Sequence, residues 1–216
     1  MWRAWKERPY FQDFLERGKL RLQRVQYYRK IEDADRADAD EGEARLKVPG
    51  DVPVVMMDKE TGKIVGEHTQ PGHFNWSMGF HNPTYILCLS QPTVDTEFLK
   101  QRFGPHVVHV FSPQRFCERV NTSLLGLQLN ERSIASIEWF QVRYDKGLVG
   151  PHPDDLLWSV RIAYGQKAPE HGVECEYRCA VVLSGGPVDS PEYLDITLGD
   201  ISSFARPYAI PVSGAV

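Results

Sequence analysis

A nearly continuous apolar run, Thr84–Leu89, constrains the fold most, because such a run is expected of a central strand covered on both faces. Cys175–Leu183 is a second strand of this kind in the C-terminal half. Shorter apolar or alternating segments predict further strands, two of which flank a turn-like Asp58–Gly62 as in a hairpin. These further strands are Lys19–Val25, Val52–Met57, Lys63–Val65, Val107–Phe111, Glu138–Tyr144 and Tyr193–Leu198.

Few segments carry helical signals, and those are short. Pro9 and Gly18 bracket a helix over Tyr10–Arg17, and Ser112 followed by Pro113 starts one over Gln114–Val120. Asp154 can cap a helix that ends near Tyr164, and Tyr27–Glu43 is a short helix or an ordered loop. The pattern predicts an α+β fold with a mixed, largely antiparallel sheet core and short peripheral helices. With no repeat or low-complexity linker, residues 1–216 are expected to form a single domain.

Composition narrows the classes of protein. No apolar run approaches the roughly 20 residues that cross a bilayer, and the N-terminus lacks the features of a signal peptide. Four scattered cysteines do not form a disulfide framework. We therefore expect a cytoplasmic protein without a membrane partner. A net charge of −4 argues against a uniformly basic nucleic-acid binder.

The charge is unevenly distributed along the first 45 residues. Residues 1–30 hold nine Lys or Arg against three acids, whereas residues 31–45 hold seven acids against two arginines. These segments form either two oppositely charged surfaces or a basic groove beside an acidic rim, which would suit a phosphate-bearing ligand.

Tyr28–Gly42 is the first polar cluster that could form a site. In a helix, Arg29 and Arg36 would share a face, so that the segment is either a salt-bridged exposed helix or an arginine clamp for phosphate or carboxylate. The spacing of its acids relative to Gly42 does not fit a calcium loop. A metal-dependent nuclease built from the acids at 32–43 stays open as an alternative.

The second cluster is Glu174–Arg178 at the entrance of the predicted C-terminal strand. Strand alternation would place Glu174, Glu176 and Arg178 on one face. Because charged groups are costly to bury alone, they should reach a solvated cleft or pair with N-terminal arginines. No metal site is expected from the thiols, since Cys175 and Cys179 would lie about 13 Å apart along a strand.

Several segments together resemble a widespread bacterial family grouped with abortive-infection (phage-exclusion) proteins. They are Gly18–Leu22, Tyr27–Asp33, Arg36–Asp38, Glu41–Gly42, Tyr85–Ser90, Tyr144–Gly147, Gln166–Lys167 and Glu174–Arg178, in that order. The resemblance covers most of the chain and implies a role in phage defence or as a toxin, with an antitoxin or defence-system partner.

The pair Glu174 and Glu176 also resembles the catalytic strand of ADP-ribosyltransferases. That resemblance implies an ADP-ribosyltransferase-like fold, NAD as co-substrate, and a nucleic acid or protein as target. Glu176, with Glu174 beside it, would stabilise an oxocarbenium-like transition state. The NAD-binding residues would be Tyr28, Arg29, Arg36, Ser90 and Tyr144; Ser90 replaces the Ser-Thr-Ser strand of one enzyme class, which is missing. A non-catalytic ligand-sensing or interaction module in phage defence is the other alternative.

Overall fold

The computed structural model describes residues 1–30, 43–48, 54–57, 61, 63–68, 72–77, 82–129, 132–145, 164–185 and 190–208. They fall into two compact units. The first contains the described residues of Met1–Ala39, Phe80–Gln141 and Val173–Val216, and the second those of Asp40–Gly79 and Val142–Gly172. A single domain over the whole chain stays a prediction.

The described residues form twelve strands and four α-helices, nearly all short. The strands are β1 (Trp2–Trp5), β2 (Lys19–Arg24), β3 (Glu43–Val48), β4 (Val54–Met57), β5 (Ile64–His68), β6 (Gly72–Ser77), β7 (Thr84–Ser90), β8 (His106–Val110), β9 (Ile134–Gln141), β10 (Glu176–Leu183), β11 (Tyr193–Thr197) and β12 (Ala205–Pro207). The helices are α1 (Arg8–Arg17), α2 (Val25–Lys30), α3 (Thr96–Phe103) and α4 (Pro113–Leu125), with a 3-10 helix at Pro169–Glu174.

Within the described part of the first unit, eight strands form one sheet. Its order is β11-β2-β7-β1-β8-β12, with β10 on the other edge of β7 and β9 beyond β10. Each of these ladders is antiparallel. The predicted α+β class, with a largely antiparallel sheet and short helices, is therefore confirmed.

Strand β7 organises this sheet, because it pairs with three other strands. One edge carries β10 along almost its whole length. The opposite edge is shared, with β2 beside Tyr85 and Ile86 and β1 beside Ser90. Between those two strands the Arg3 guanidinium donates a hydrogen bond to the Cys88 carbonyl oxygen. A side chain thus satisfies a backbone acceptor that no strand of the described residues reaches there.

The hydrophobic core lies on one face of the sheet, which we call the core face. Alternate residues of β2, β7 and β10 pack there with Phe14 of α1 and Phe116 of α4. Burial of each such side chain stabilises the fold by about 1.5–3 kcal/mol. The central residues of this face are Leu20, Leu22, Tyr85, Leu87, Leu89, Cys179, Val181 and Leu183. The opposite face of β10 begins with Glu176 and Arg178, which alternation directs away from this core.

The predicted elements agree with most of these ranges. The turn-flanking hairpin is β4 with β5, and the predicted strands at β2, β7, β8, β10 and β11 and the helices at α1 and α4 are found within a few residues. The strand predicted at Glu138–Tyr144 instead spans Ile134–Gln141, and Arg143, which follows it, forms a parallel bridge with Gln166. The helix predicted from Asp154 lies outside the described residues, apart from Tyr164.

The second unit contains two antiparallel pairs, β3 with β6 and β4 with β5. It also contains the isolated parallel bridge between Arg143 and Gln166. No helix in the described residues is long and apolar enough to cross a membrane.

Candidate functional site

The candidate site lies where β10 begins and β7 ends. Glu176, the first residue of β10, is directly opposite Ser90, the last residue of β7. The Arg178 Nε atom donates a hydrogen bond to Glu176 Oε2 at 2.6 Å, and the two residues are only 2% and 5% exposed. These residues share one sheet face, as strand alternation predicts. The Glu176 carboxylate therefore belongs to a buried ion pair. Its low exposure argues against the predicted alternative of a solvated cleft.

Glu174 lies in the same region, but in a different element from the predicted strand. It ends the 3-10 helix instead of belonging to β10, so strand alternation does not place it beside Glu176. Its carboxylate is 3% exposed and accepts a hydrogen bond from an Arg102 guanidinium nitrogen at 3.1 Å. Arg102 belongs to α3. Each of the two buried carboxylates is therefore bound by an arginine, although neither arginine comes from the N-terminal segment.

The chain turns sharply between the two glutamates. Cys175 has a φ of 40°, the left-handed region that a residue with a Cβ atom adopts only at a cost. Its carbonyl oxygen accepts a hydrogen bond from the Gln91 N–H at 2.9 Å, which ties this turn to the residue after Ser90. The turn breaks the period-two pattern, which is why sequence alternation misplaces Glu174.

The strained turn leads to a prediction about stability. Changing Cys175→Gly should raise the free energy of unfolding by about 0.5–1 kcal/mol, because glycine adopts a positive φ without steric cost. Cys175→Val should lower it by about 1–2 kcal/mol. Urea unfolding of both variants gives the two values.

Cys117, in the middle of α4, provides the matched control for that prediction. Cys117→Gly should lower the free energy of unfolding by about 1 kcal/mol, the opposite sign, because glycine is unfavourable inside a helix. If Cys175→Gly destabilises the protein as Cys117→Gly does, the turn is not strained.

Tyr28 joins the site from α2, which contacts β7. The residue as a whole is partly exposed, but its hydroxyl end is enclosed, and burial raises the phenol pKa well above its usual range. The Cys88 thiol raises that pKa further, Arg3 and Arg178 lower it, and Glu176 raises it. The Tyr28 hydroxyl therefore interacts electrostatically with Arg178 and Glu176. Tyr28 is therefore a neutral phenol at ordinary pH.

The other predicted NAD-binding residues are Arg29, Arg36 and Tyr144. Arg29 lies in α2, and Arg36 lies outside the described residues, as does most of the acidic cluster at 32–43. Tyr144 belongs to the second unit. The part of the site that the structure assembles is Tyr28, Ser90, Glu174 and Glu176, together with Arg102 and Arg178.

Two of the four thiols, those of Cys117 and Cys179, lie in the core. Burial raises the pKa of Cys117 to about 11 and raises that of Cys179 further, so both are protonated, apolar core groups. Among the described residues, no group of three or more His, Cys, Asp or Glu side chains could hold a metal ion.

Sequence reasoning missed two arginines of this region, Arg3 and Arg102. Helix α3, which carries Arg102, could have been predicted, because Asp95 caps it by accepting a hydrogen bond from the Glu97 N–H, and Gly104 follows its last turn. Strand β1, which carries Arg3, has no alternating burial pattern that would have marked it. No family model, no curated protein and no solved structure matches this chain.

Proposed function

We propose that this protein is an NAD-consuming enzyme of the ADP-ribosyltransferase type, with Glu176 as its catalytic carboxylate. The observation that supports the proposal is the convergence of Tyr28, Ser90 and Glu176, three residues named from the sequence alone. Ser90 lies opposite Glu176 in the sheet, and the Tyr28 phenol is within electrostatic range of the Glu176 carboxylate.

The proposed reaction cleaves the bond between C1′ of the ribose and the nicotinamide nitrogen. The bonding electron pair leaves with nicotinamide, which becomes neutral, and positive charge develops on the ribose. Glu176 stabilises that charge, and water or a target nucleophile then forms the new bond at C1′ and releases its proton to solvent. A fixed carboxylate in a site shielded from water is suited to this task, because its electrostatic effect is less screened there.

Each assembled residue has a part in this scheme. The Arg178 hydrogen bond fixes the Glu176 carboxylate before substrate arrives, so little reorganisation is needed during reaction. In this proposal the Ser90 hydroxyl would bind the ribose, and the Tyr28 ring would pack against nicotinamide. Glu174 holds Arg102 and so fixes the turn that leads into Glu176.

The biological setting of the proposal comes from the resemblance to abortive-infection proteins. The protein would act in the cytoplasm as a phage-defence or toxin effector and modify a nucleic acid or a protein. An antitoxin or another defence component would restrain it, because unregulated NAD consumption harms the cell that makes the enzyme. An ADP-ribosyltransferase-like fold is part of this proposal.

The direct test is to incubate the purified protein with NAD and measure free nicotinamide, with and without EDTA. We expect release at the same rate in both samples, because the proposed mechanism uses no metal. If nucleic acid is cleaved only when Mg²⁺ or Mn²⁺ is present and no nicotinamide forms, the nuclease alternative replaces this proposal.

A second candidate is a non-catalytic ligand-sensing or interaction module. It is favoured by the ion pairs themselves, since Glu174 and Glu176 are both buried against arginines, as structural charge pairs are. An NAD-dependent rise in melting temperature without nicotinamide release would support this module and exclude the enzyme.

A further inference from the structure

A second concave surface lies on the core-face side of the sheet, away from Glu176. Helix α4 packs over that face, and a concavity of about 460 Å³ opens between its exposed side and the turn before β12. Its lining is mainly polar and consists of Arg115, Glu118, Arg119, Thr122, Ser203 and Phe204. The volume falls in the range of small-molecule sites, about 300–1,000 Å³.

Two arginines dominate the charge of this concavity. Arg115 and Arg119 are four residues apart on α4, so their side chains are neighbours on one helix face. No carboxylate of the described residues forms an ion pair with either of them within 4.0 Å. Among the described residues, Arg115 donates a hydrogen bond to the Ser203 carbonyl oxygen, at 3.5 Å. Two like charges at this spacing repel each other weakly, and an anion bound to both would remove that repulsion.

Two acids lie near the arginine pair, and each accepts hydrogen bonds from neighbouring groups. Glu118 accepts a hydrogen bond from the Gln114 amide at 3.0 Å. Asp200 accepts bonds from the backbone N–H and the hydroxyl of Ser202, each at 2.9 Å. Those two bonds lower the Asp200 pKa, and Arg119 contributes only a weaker, more distant attraction. Glu118 nevertheless lines the concavity with the two arginines, so these three side chains together give it one net positive charge.

We propose that this concavity binds the phosphate group of a small phosphorylated metabolite. Two guanidinium groups one helical turn apart offer planar sets of donors that match phosphate oxygens, and the Ser203 hydroxyl adds a neutral donor at the rim. The concavity has room for more than a bare phosphate, so part of the attached molecule can also enter. This binding site is independent of the proposed NAD chemistry, because its residues lie on the other side of the sheet.

The test follows thermal melting while sodium phosphate is added at constant ionic strength, followed by glycerol 3-phosphate as a small phosphorylated probe. We expect both to raise the melting temperature, since a ligand that binds only the folded state stabilises it. Arg115→Gln and Arg119→Gln should each weaken the apparent affinity about tenfold or more, and the double variant should show no shift. These side chains are exposed, so the variants should fold.

Arg17→Gln is the matched control, because Arg17 is an exposed arginine of another helix, with 61% of its side chain accessible. It should leave the phosphate-dependent shift unchanged. The proposal is overturned if the wild type shows no shift, if the Arg115 and Arg119 variants keep it, or if Arg17→Gln loses it equally. An equal shift with acetate, or none with glycerol 3-phosphate, would also overturn it.

Discussion

Glu176→Gln is expected to lower nicotinamide release about 10²–10³-fold. The amide keeps the shape of the carboxylate and can still accept the Arg178 hydrogen bond, but it removes the negative charge that faces the developing cation. Loss of one preorganised electrostatic contact of this kind costs about 3–4 kcal/mol in the transition state. Release is measured at saturating NAD, with the fraction of folded protein determined on the same sample.

The Glu176→Gln change should also lower stability, because Glu176 is buried. Since Glu176 is 5% exposed and bound to Arg178, the change removes a buried negative charge that neutralises the arginine. The free energy of unfolding should therefore fall by about 2–4 kcal/mol. Glu97→Gln is the control, because Glu97 lies on the exposed side of α3 and pairs with Lys100 at the surface. It should change neither property appreciably, and unchanged release in Glu176→Gln would remove Glu176 from the mechanism.

Arg178→Met is expected to have the largest effect on stability. Arg178 is 2% exposed, so its removal leaves the Glu176 carboxylate buried without its guanidinium partner. Breaking a buried ion pair from one side typically costs about 3–5 kcal/mol, a large part of the roughly 5–15 kcal/mol that holds a domain folded. Urea unfolding monitored by circular dichroism gives the value.

The double variant Glu176→Gln/Arg178→Met separates folding from chemistry. Removing both charges should restore most of the lost stability, because neither is then left unpaired in the interior. Nicotinamide release should stay as low as in Glu176→Gln. Recovery of release together with stability would show that Glu176 has a structural role only.

A partly exposed arginine–aspartate ion pair provides the comparison for Arg178→Met. Arg21 binds Asp195 through two hydrogen bonds of 2.7 and 2.8 Å and lies over the Tyr193 ring. Because this pair is partly exposed to solvent, Arg21→Met should cost about 1 kcal/mol or less. If both variants lower the free energy of unfolding by a similar amount, burial does not increase the contribution of the Glu176–Arg178 pair to stability.

The central strands of the sheet could be predicted from the sequence, but the strands that pair with each edge of β7 could not. Thr84–Ser90 and Glu176–Leu183 are recognisable because apolar residues occupy both of their faces. The placement of Ser90 opposite Glu176 depends on strand register, which is set by packing across the sheet and not by either segment alone. Strand β1 was not predicted, because its four residues, Trp2–Trp5, are too few to show an alternating pattern.

The site was predictable only where local periodicity holds. Glu176 and Arg178 share a face because they are two residues apart on one strand. Glu174 was misplaced because the left-handed Cys175 interrupts that strand pattern one residue before β10 begins. Its partner Arg102 is 72 residues away, so only the tertiary fold could identify the pair.

The pairing of β2 with β11 has a consequence for how the chain folds during synthesis. The two strands meet across 174 residues between Arg21 and Asp195, so the ribosome must add about that many residues after β2 before β2 gains this neighbour. At translation rates of about 5–20 residues per second, that interval is on the order of 10–30 s. During this time one edge of β2 has unsatisfied backbone groups, which can pair with other nascent chains. Slower elongation should therefore increase aggregation of this protein, and binding of a chaperone to residues 19–24 should reduce it.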